Sequence, residues 1–541
     1  MIFTGTLWIL LFLPDPSQNN FYSLKAMSTA YLLRGVEEAI LNPAYLFVLG
    51  KSHLITNLSD YTKRSLYVGG NINSDLLREG ALFYIRNVET PLVNSLGDRG
   101  LTRRDITDYP DTNGDNLPDL IRYSEFQTDG YRKDFDIDFA AGFQFVGDQW
   151  FLFAGFLKAQ QKSEVESPGD TLNALGYFEY KEGILSYPDS GFVRFVKASG
   201  DKIEETFSNK TGGQIGGGFL LGDTSYISLS LSYYAVESNK GVGGYFSFER
   251  IPDTLSRQYH QERRDFSEIY NGHDFCISLE YLDKNPALER LASFRYTRGS
   301  LNPDTIWDSS QEYFGIFSKT TDTLFSSRES LGISQQLKIP NKTVSYDRLE
   351  GGYSQIFYVN SFTRFAFGVR GKYYYQFSSF NTIELDSIDV SFNDGDTISN
   401  EADDFERYIF VRYNGSESTE IKEYVFEFPV GFEIMPFGLK SILLLGGTVF
   451  RFSQRMENLD KSKIPQGEYT ELTVFGDSTR TSNSRPVGAV REKRSWLSQS
   501  VSVDYTLGMS LELSRNIQLD MCTRLSPEKI SDFKMGFVFK F

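Results

Sequence analysis

The chain reads as an all-β protein, a closed antiparallel transmembrane barrel of about 14 strands with an amino-terminal hatch segment inside its lumen. Two observations predict this. Period-two alternation runs through the final eleven residues and recurs in segment after segment, each with one apolar and one polar face. No stretch reaches the roughly 18 to 20 uninterrupted apolar residues that a spanning helix needs. If strands cross lipid they must close on themselves, because only helices and closed barrels satisfy every backbone group there.

The terminal strand is the clearest element. Phe533, Met535, Phe537, Phe539 and Phe541 share one face, while Asp532, Lys534, Gly536, Val538 and Lys540 share the other. Such an apolar face belongs either against a second sheet or towards lipid, and the charged face belongs in water. The strand resembles the closing strand of bacterial outer-membrane barrels, and that resemblance implies that its aromatic end is an assembly signal read by the barrel-assembly machinery.

Composition fits the same class. The chain has 541 residues with 46 Phe and 32 Tyr, yet its mean hydropathy is −0.33. Alternating strands give this mixture, each with an apolar and a polar face. A formal net charge of −16 argues against a nucleic-acid partner, which requires a basic surface to neutralise phosphate. Cys276 and Cys522 are the only cysteines, too far apart in sequence to signal a disulfide framework or a thiolate metal site.

From the amino terminus, residues 1–19 read as a signal peptide: Ile2 to Leu13 is an apolar run too short to span, followed by Pro14-Asp15-Pro16-Ser17. Neither a preceding Lys or Arg nor a clean small-x-small cleavage site accompanies it, so a truncated leader or a misplaced start is expected. Residues 20–50 follow as the hatch, and residues 51–541 as the barrel. The segment around Arg34-Gly35-Val36-Glu37-Glu38-Ala39-Ile40-Leu41-Asn42-Pro43-Ala44 lacks alternation and carries helix formers ahead of a proline, marking a non-strand element.

On Glu37, Glu38, Ala39, Asn42, Pro43 and Ala44 the chain resembles the long-chain fatty-acid transporter (FadL) family of outer-membrane proteins. It departs at Tyr45, where that family usually has Gly, and at Tyr31, Leu32, Leu33 and Arg34 in place of small residues. The resemblance implies a hatch with Asn42, Pro43 and Ala44 as gating residues, passive uptake of a hydrophobic or amphipathic fatty-acid-like ligand, and sideways release through the wall. The bland reading of Asn-Pro-Ala is a helix stop followed by a turn.

Hairpins make up the remainder. Phe135 to Phe145 and Trp150 to Leu157 flank a Gly147-Asp148 turn; Ile227 to Tyr233, Phe275 to Tyr281 and Phe365 to Phe377 alternate in the same way. Tyr424 to Ile434 leads through Pro436-Phe437-Gly438 to Ser441 to Phe452, and Val501 to Leu513 turns at Ser514-Arg515-Asn516 into Ile517 to Met521. Phe365 and Tyr373 are weighed as pocket-lining or lipid-facing, with lipid favoured. Long polar segments, Thr90 to Lys133, Arg250 to Asn271, Ser300 to Arg328, Ser378 to Lys422 and Ser453 to Trp496, read as extracellular loops.

Asp111, Asn113, Asp115 and Asp119 place oxygens at positions 1, 3, 5 and 9 of a loop, a spacing that calcium loops use. The glycine falls at position 4 rather than 6, and Arg122 stands where the bidentate Glu belongs. A structural calcium and an ordinary Asx-rich turn are the two readings; no other cofactor is expected. The three histidines form no catalytic pattern: His273 and Asp274 are adjacent and point to opposite faces of a strand, and His53 and His260 lie elsewhere. No enzyme is expected. The expected setting is the outer membrane of a Gram-negative-type bacterium, with its lipid as a partner. The alternative function is a non-transporting barrel that serves as a surface-binding or secretion-associated scaffold.

Overall fold

The computed structural model describes residues 29, 32, 36–49, 51–60, 65–74, 77–91, 102–109, 120–127, 131–167, 174–181, 192–222, 225–253, 256–285, 287–319, 325–393, 405–436, 439, 441–475, 478–484, 488–525 and 530–541. The chain opens with a short helix α1 (Val36–Leu41) and a 3-10 turn (Pro43–Val48). Strands follow: β1 (His53–Asp60), β2 (Ser65–Asn73), β3 (Leu77–Pro91), β4 (Thr102–Tyr109), β5 (Leu120–Gln127), β6 (Tyr131–Val146) and β7 (Trp150–Ser167). Next come β8 (Ala174–Lys181), β9 (Phe192–Leu220), β10 (Tyr226–Asp253), β11 (Ser256–Lys284), β12 (Leu288–Pro303), β13 (Ile306–Lys319), β14 (Phe325–Pro340) and β15 (Val344–Asn360). The last are β16 (Thr363–Asn393), β17 (Phe405–Ile434), β18 (Ile442–Phe475), β19 (Ser478–Ser484), β20 (Val490–Ser514), β21 (Ile517–Leu525) and β22 (Ile530–Lys540).

The sheet closes. β22 pairs antiparallel with β1 from His53↔Lys540 to Asp60↔Lys534, so the last strand completes the ladder of the first and leaves no edge in lipid. Around the wall run β1, β2, β3, β6, β7, β9, β10, β11, β12, β15, β16, β17, β18, β20, β21 and β22, a barrel of 16 strands, against the expected 14.

Strand length departs from expectation more than strand number: the polar stretches taken for loops are themselves strand. Arg250 to Asn271 lies mostly in β11, Ser378 to Lys422 is largely β16 and β17, and Ser453 to Trp496 is largely β18, β19 and β20. β18 runs for 34 residues, about 110 Å of extended chain, whereas about ten residues cross a bilayer. Beyond the membrane both strand faces meet water, so the alternation that marks a strand in sequence disappears while the ladder continues. β1, β2 and β21, by contrast, have 8, 9 and 9 residues, so the wall is tall on one side and low on the other.

Two prolines interrupt the tall wall. β12 pairs with the lower part of β11 (Tyr270–Lys284) and β13 with its upper part (Ser256–Ser267), with the break just after Pro303. β15 and β14 divide β16 in the same way, broken after Pro340. Proline brings no N–H to the ladder; the following residues restore it, Asp304 N–H donating to Ile269 O at 2.8 Å and Asn341 N–H to Ser379 O at 3.0 Å. β19 extends β18 above the bilayer, and β4, β5 and β8 extend β9.

The two faces are cleanly sorted within the membrane. Ile227, Leu229, Leu231 and Tyr233 are exposed on the outside, and Ser228, Ser230 and Ser232 between them are buried inside. Of the terminal aromatics, Phe533 and Phe541 are exposed and Phe537 stacks on Phe539 at 6.3 Å. Phe365 is exposed on the outer face and Tyr373 packs against Tyr424 at 5.0 Å there, which makes both lipid-side residues. Replacing Leu229 by Arg is expected to cost about 2–4 kcal/mol of folding free energy. Urea unfolding in lipid vesicles measures it, with Ser230→Asn as the inward-facing reference.

Above the membrane, Asp460 of β18 accepts from Arg491 of β20 at 3.0 and 2.7 Å and meets Lys493 at 3.2 Å. The Arg491 hydrogen bonds, and then Lys493, hold its carboxyl at about 2. Because the folded-state value is depressed, the pair is intact above the ordinary carboxylate range and is lost as pH falls towards 2. Arg491→Gln is therefore expected to move the Asp460 titration midpoint upward, read by NMR of selectively labelled aspartate.

Candidate functional site

The site grows from the helical segment that, among the described residues, lies inside the wall. Val36–Leu41 makes little more than a turn of helix, closed by Asn42 N–H donating to Glu38 O at 3.0 Å. Pro43 stops it and starts the 3-10 turn, where a missing N–H and a fixed φ are tolerated. Tyr45 N–H then donates to Asn42 O at 2.9 Å. Isolated, so short an element would not persist; its stability comes from the surface on which it lies.

That surface is the inner face of the barrel. Ala39, Ile40, Ala44, Tyr45 and Leu46 are buried in one apolar cluster with Leu82, Tyr84, Ala140, Phe151, Phe153, Leu157, Tyr226 and Leu282, and Val538 of the closing strand packs against it. Small residues make room. A Cβ on Gly142 would stand 2.7 Å from the Ile40 carbonyl oxygen and 2.8 Å from Pro43 Cγ, and one on Gly80 2.6 Å from Ile40 Cγ1. Across the lumen, Leu32 packs with Ile356 and Ala366, and the Thr29 carbonyl oxygen lies where a Cβ on Gly431 would be, at 2.8 Å. Thr29 and Leu32 thus touch one wall and residues 36–49 the opposite one.

Wall side chains, among them Asn73 of β2, whose Nδ2 donates to Leu49 O, hold the segment by its polar groups. Gln144 Nε2 donates to Ala44 O at 3.1 Å, and Gln214 Nε2 donates to Leu41 O at 2.8 Å. Glu280 accepts Asn42 Nδ2 at 3.0 Å on one oxygen and the Tyr226 hydroxyl on the other. The Asn42 amide thus meets a carboxylate 238 positions away in sequence. These contacts are side chain to segment, with no ladder pairing.

Two chambers flank the segment. One, of about 150 Å³, is lined by Ile40 and Leu41 together with Lys210, Asp274, Arg295, Arg348 and Tyr374. The other, of about 320 Å³, is lined by Glu38, Asn42, Ser228, Ser230, Glu280 and Arg370 among others. Their walls mix apolar side chains, among them Ala140, Leu157, Val236 and Leu301, with polar and charged ones, and Lys210 pairs with Asp274 at 3.3 Å; elsewhere on the inner face Arg451 pairs with Glu427 at 2.9 Å and Arg364 with Glu433 at 3.3 Å. Above them Tyr270, Leu301, Ile306, Val344 and Phe380 form a second apolar cluster at the level of the two proline breaks.

Other predicted positions are quickly placed. Asp111, Asn113, Asp115 and Asp119 lie outside the described residues; among those described, no three His, Cys, Asp or Glu side chains converge as metal ligands. Cys276 and Cys522 are buried free thiols. His53 Nδ1 lies 3.1 Å from Asn71 Oδ1, His273 stacks on Tyr233 on the outer face, and His260 pairs with Phe248 and Phe314 in the ladder. Gln144, Gln214, Glu280, Arg295 and Glu350 were not legible beforehand, because an inward polar residue that grips a plug has the same spacing as one that meets water.

No family model matches the chain, and no curated protein matches it. Solved structures similar to it include the FrpB iron transporter from Neisseria meningitidis (8% identity, TM-score 0.25, covering 91% of this chain and 81% of that one). The copper transporter OprC follows with 7% identity, TM-score 0.26 and coverage of 91% and 80%. A mutant of the ferric enterobactin receptor PfeA from Pseudomonas aeruginosa has 7% identity, TM-score 0.25 and the same coverage. The expected fatty-acid transporter family is corrected: no family model and no curated protein carries it, and the wall has 16 strands in place of the expected 14. The Asn-Pro-Ala that suggested it is locally explained as a helix stop and turn. The closed sheet of 16 strands, its apolar outer belt and its polar interior make the chain an outer-membrane β-barrel.

Gly142→Val sets a side chain against Ile40 and Pro43, an overpacking that costs about 1–3 kcal/mol and shifts the segment off its seat. In an Ala44→Cys background, thiol labelling at position 44, fully buried in the parent, is expected to quicken on the order of tenfold or more.

Proposed function

We propose that the chain is an outer-membrane uptake barrel for small polar solutes, closed at rest by its own amino-terminal segment. The observation that carries this is the way the segment is held: across the lumen, between two chambers, by side-chain hydrogen bonds and apolar contact without joining the sheet. A plug bonded in this manner separates from the wall without breaking the ladder, so Asn42, Pro43 and Ala44 act as a gating turn. The solute follows from the lining. The wider chamber decides it: Ser228, Ser230, Ser278, Glu280, Arg370 and Lys372 along its wall offer little to an acyl chain, so a hydrated molecule is favoured over a fatty-acid-like one.

A second reading is favoured by the tall strands. β9, β10, β11, β16, β17 and β18 rise far past the bilayer, a surface suited to holding a partner outside the cell. The two readings part on flux. Planar-bilayer recordings of the full chain are expected to show rare openings, and Gln144→Ala with Gly142→Val to raise open probability several-fold. Silence from both proteins, each shown folded by heat-modifiable migration, rejects uptake in favour of the scaffold.

A further inference from the structure

The two chambers share four lining residues, Leu41, Gln214, Arg295 and Glu350. A solute that passes from one to the other must pass these side chains, which makes them the waist of the lumen. Gln214 fixes the Leu41 carbonyl, so one side of the waist belongs to the plug. The other side belongs to the wall. Arg295 of β12 and Glu350 of β15 are direct cross-strand partners, with Cβ atoms about 4.5–5.5 Å apart as such pairs are. Both point inward, since their neighbours Phe294 and Leu349 are exposed on the outer face. Arg295 Nε donates to Ser278 Oγ at 3.3 Å, which sets the plane of its guanidinium.

We infer that Arg295 and Glu350 are a two-sign filter, and that the solute class it selects is the small zwitterion carrying a carboxylate and an ammonium a few ångströms apart. This rests on the uptake reading above. An anion at the waist is drawn by Arg295 and repelled by Glu350 at nearly the same distance, and a cation meets the reverse, so neither gains much. A zwitterion satisfies both: its carboxylate accepts from the guanidinium while its ammonium donates to Glu350. The lower chamber continues the pattern, with Arg370 and Lys372 facing Glu38 and Glu280 across the same space.

The test uses the full chain carrying Gly142→Val, reconstituted in liposomes, with swelling followed in glycine, glycerol, sodium acetate and ethylammonium chloride. Glycine is expected to enter faster than glycerol, and both singly charged probes more slowly than glycine. Glu350→Gln and Arg295→Gln should each lower the glycine-to-glycerol ratio by at least about threefold. The exchange Arg295→Glu with Glu350→Arg, which keeps both signs, should recover most of it; a purely structural role would not be rescued so. Glu350→Asp and Arg295→Lys serve if a neutralised barrel does not fold. Glycerol flux with an unchanged ratio in every variant overturns the filter and leaves the uptake reading standing. Absence of glycerol flux overturns both.

Discussion

Closure is the constraint from which the rest follows. A peptide group in hydrocarbon has no water to bond, so each strand must find a neighbour on both sides, and the first strand must find the last. β1 and β22 do so over nearly their full lengths. Closing the sheet creates an inside and an outside, and that distinction sorts the side chains along the wall: the exposed aliphatic and aromatic residues towards lipid, and serine, glycine, paired charges and the apolar seat of the amino-terminal segment towards the lumen.

A closed sheet of this girth also poses a problem. Sixteen strands enclose more space than their own side chains fill, and an open water-filled pore would leak. The amino-terminal segment fills part of that space with an apolar knot around Ile40 and Leu46, and the glycines beneath it let it approach the wall closely. Packing of this sort is strong collectively and weak at any one point, while polar clasps at Asn73, Gln144, Gln214 and Glu280 set the register. The segment is held without joining the ladder, and the chambers beside it carry both polar and apolar side chains.

Above the bilayer the same ladder persists under a different solvent. On the outside a cross-strand ion pair such as Asp460 with Arg491 takes the place of the lipid-facing aromatics, while Lys338 and Glu417 pair on the inner face, and the proline breaks at Pro303 and Pro340 sit where the two regimes meet in β12–β15. The strands stay paired because each backbone still has a partner, not because a face is hidden.

The residues themselves determined the class and much of the wall: alternation at Phe533 to Phe541, at Ile227 to Tyr233 and at Tyr424 to Ile434 marks lipid-facing strands, and the turns at Gly147-Asp148 and Arg515-Asn516 follow from local chemistry. The non-strand character of residues 36–44 was equally plain. What only the folded chain decided is everything that depends on partners distant in sequence. Polar strands above the membrane carry no period, so β13, β14 and the upper halves of β16 to β18 look like loops until their neighbours are present. The grip of Glu280 on Asn42 and the meeting of Arg295 with Glu350 are set by register and curvature, which one strand read by itself does not contain.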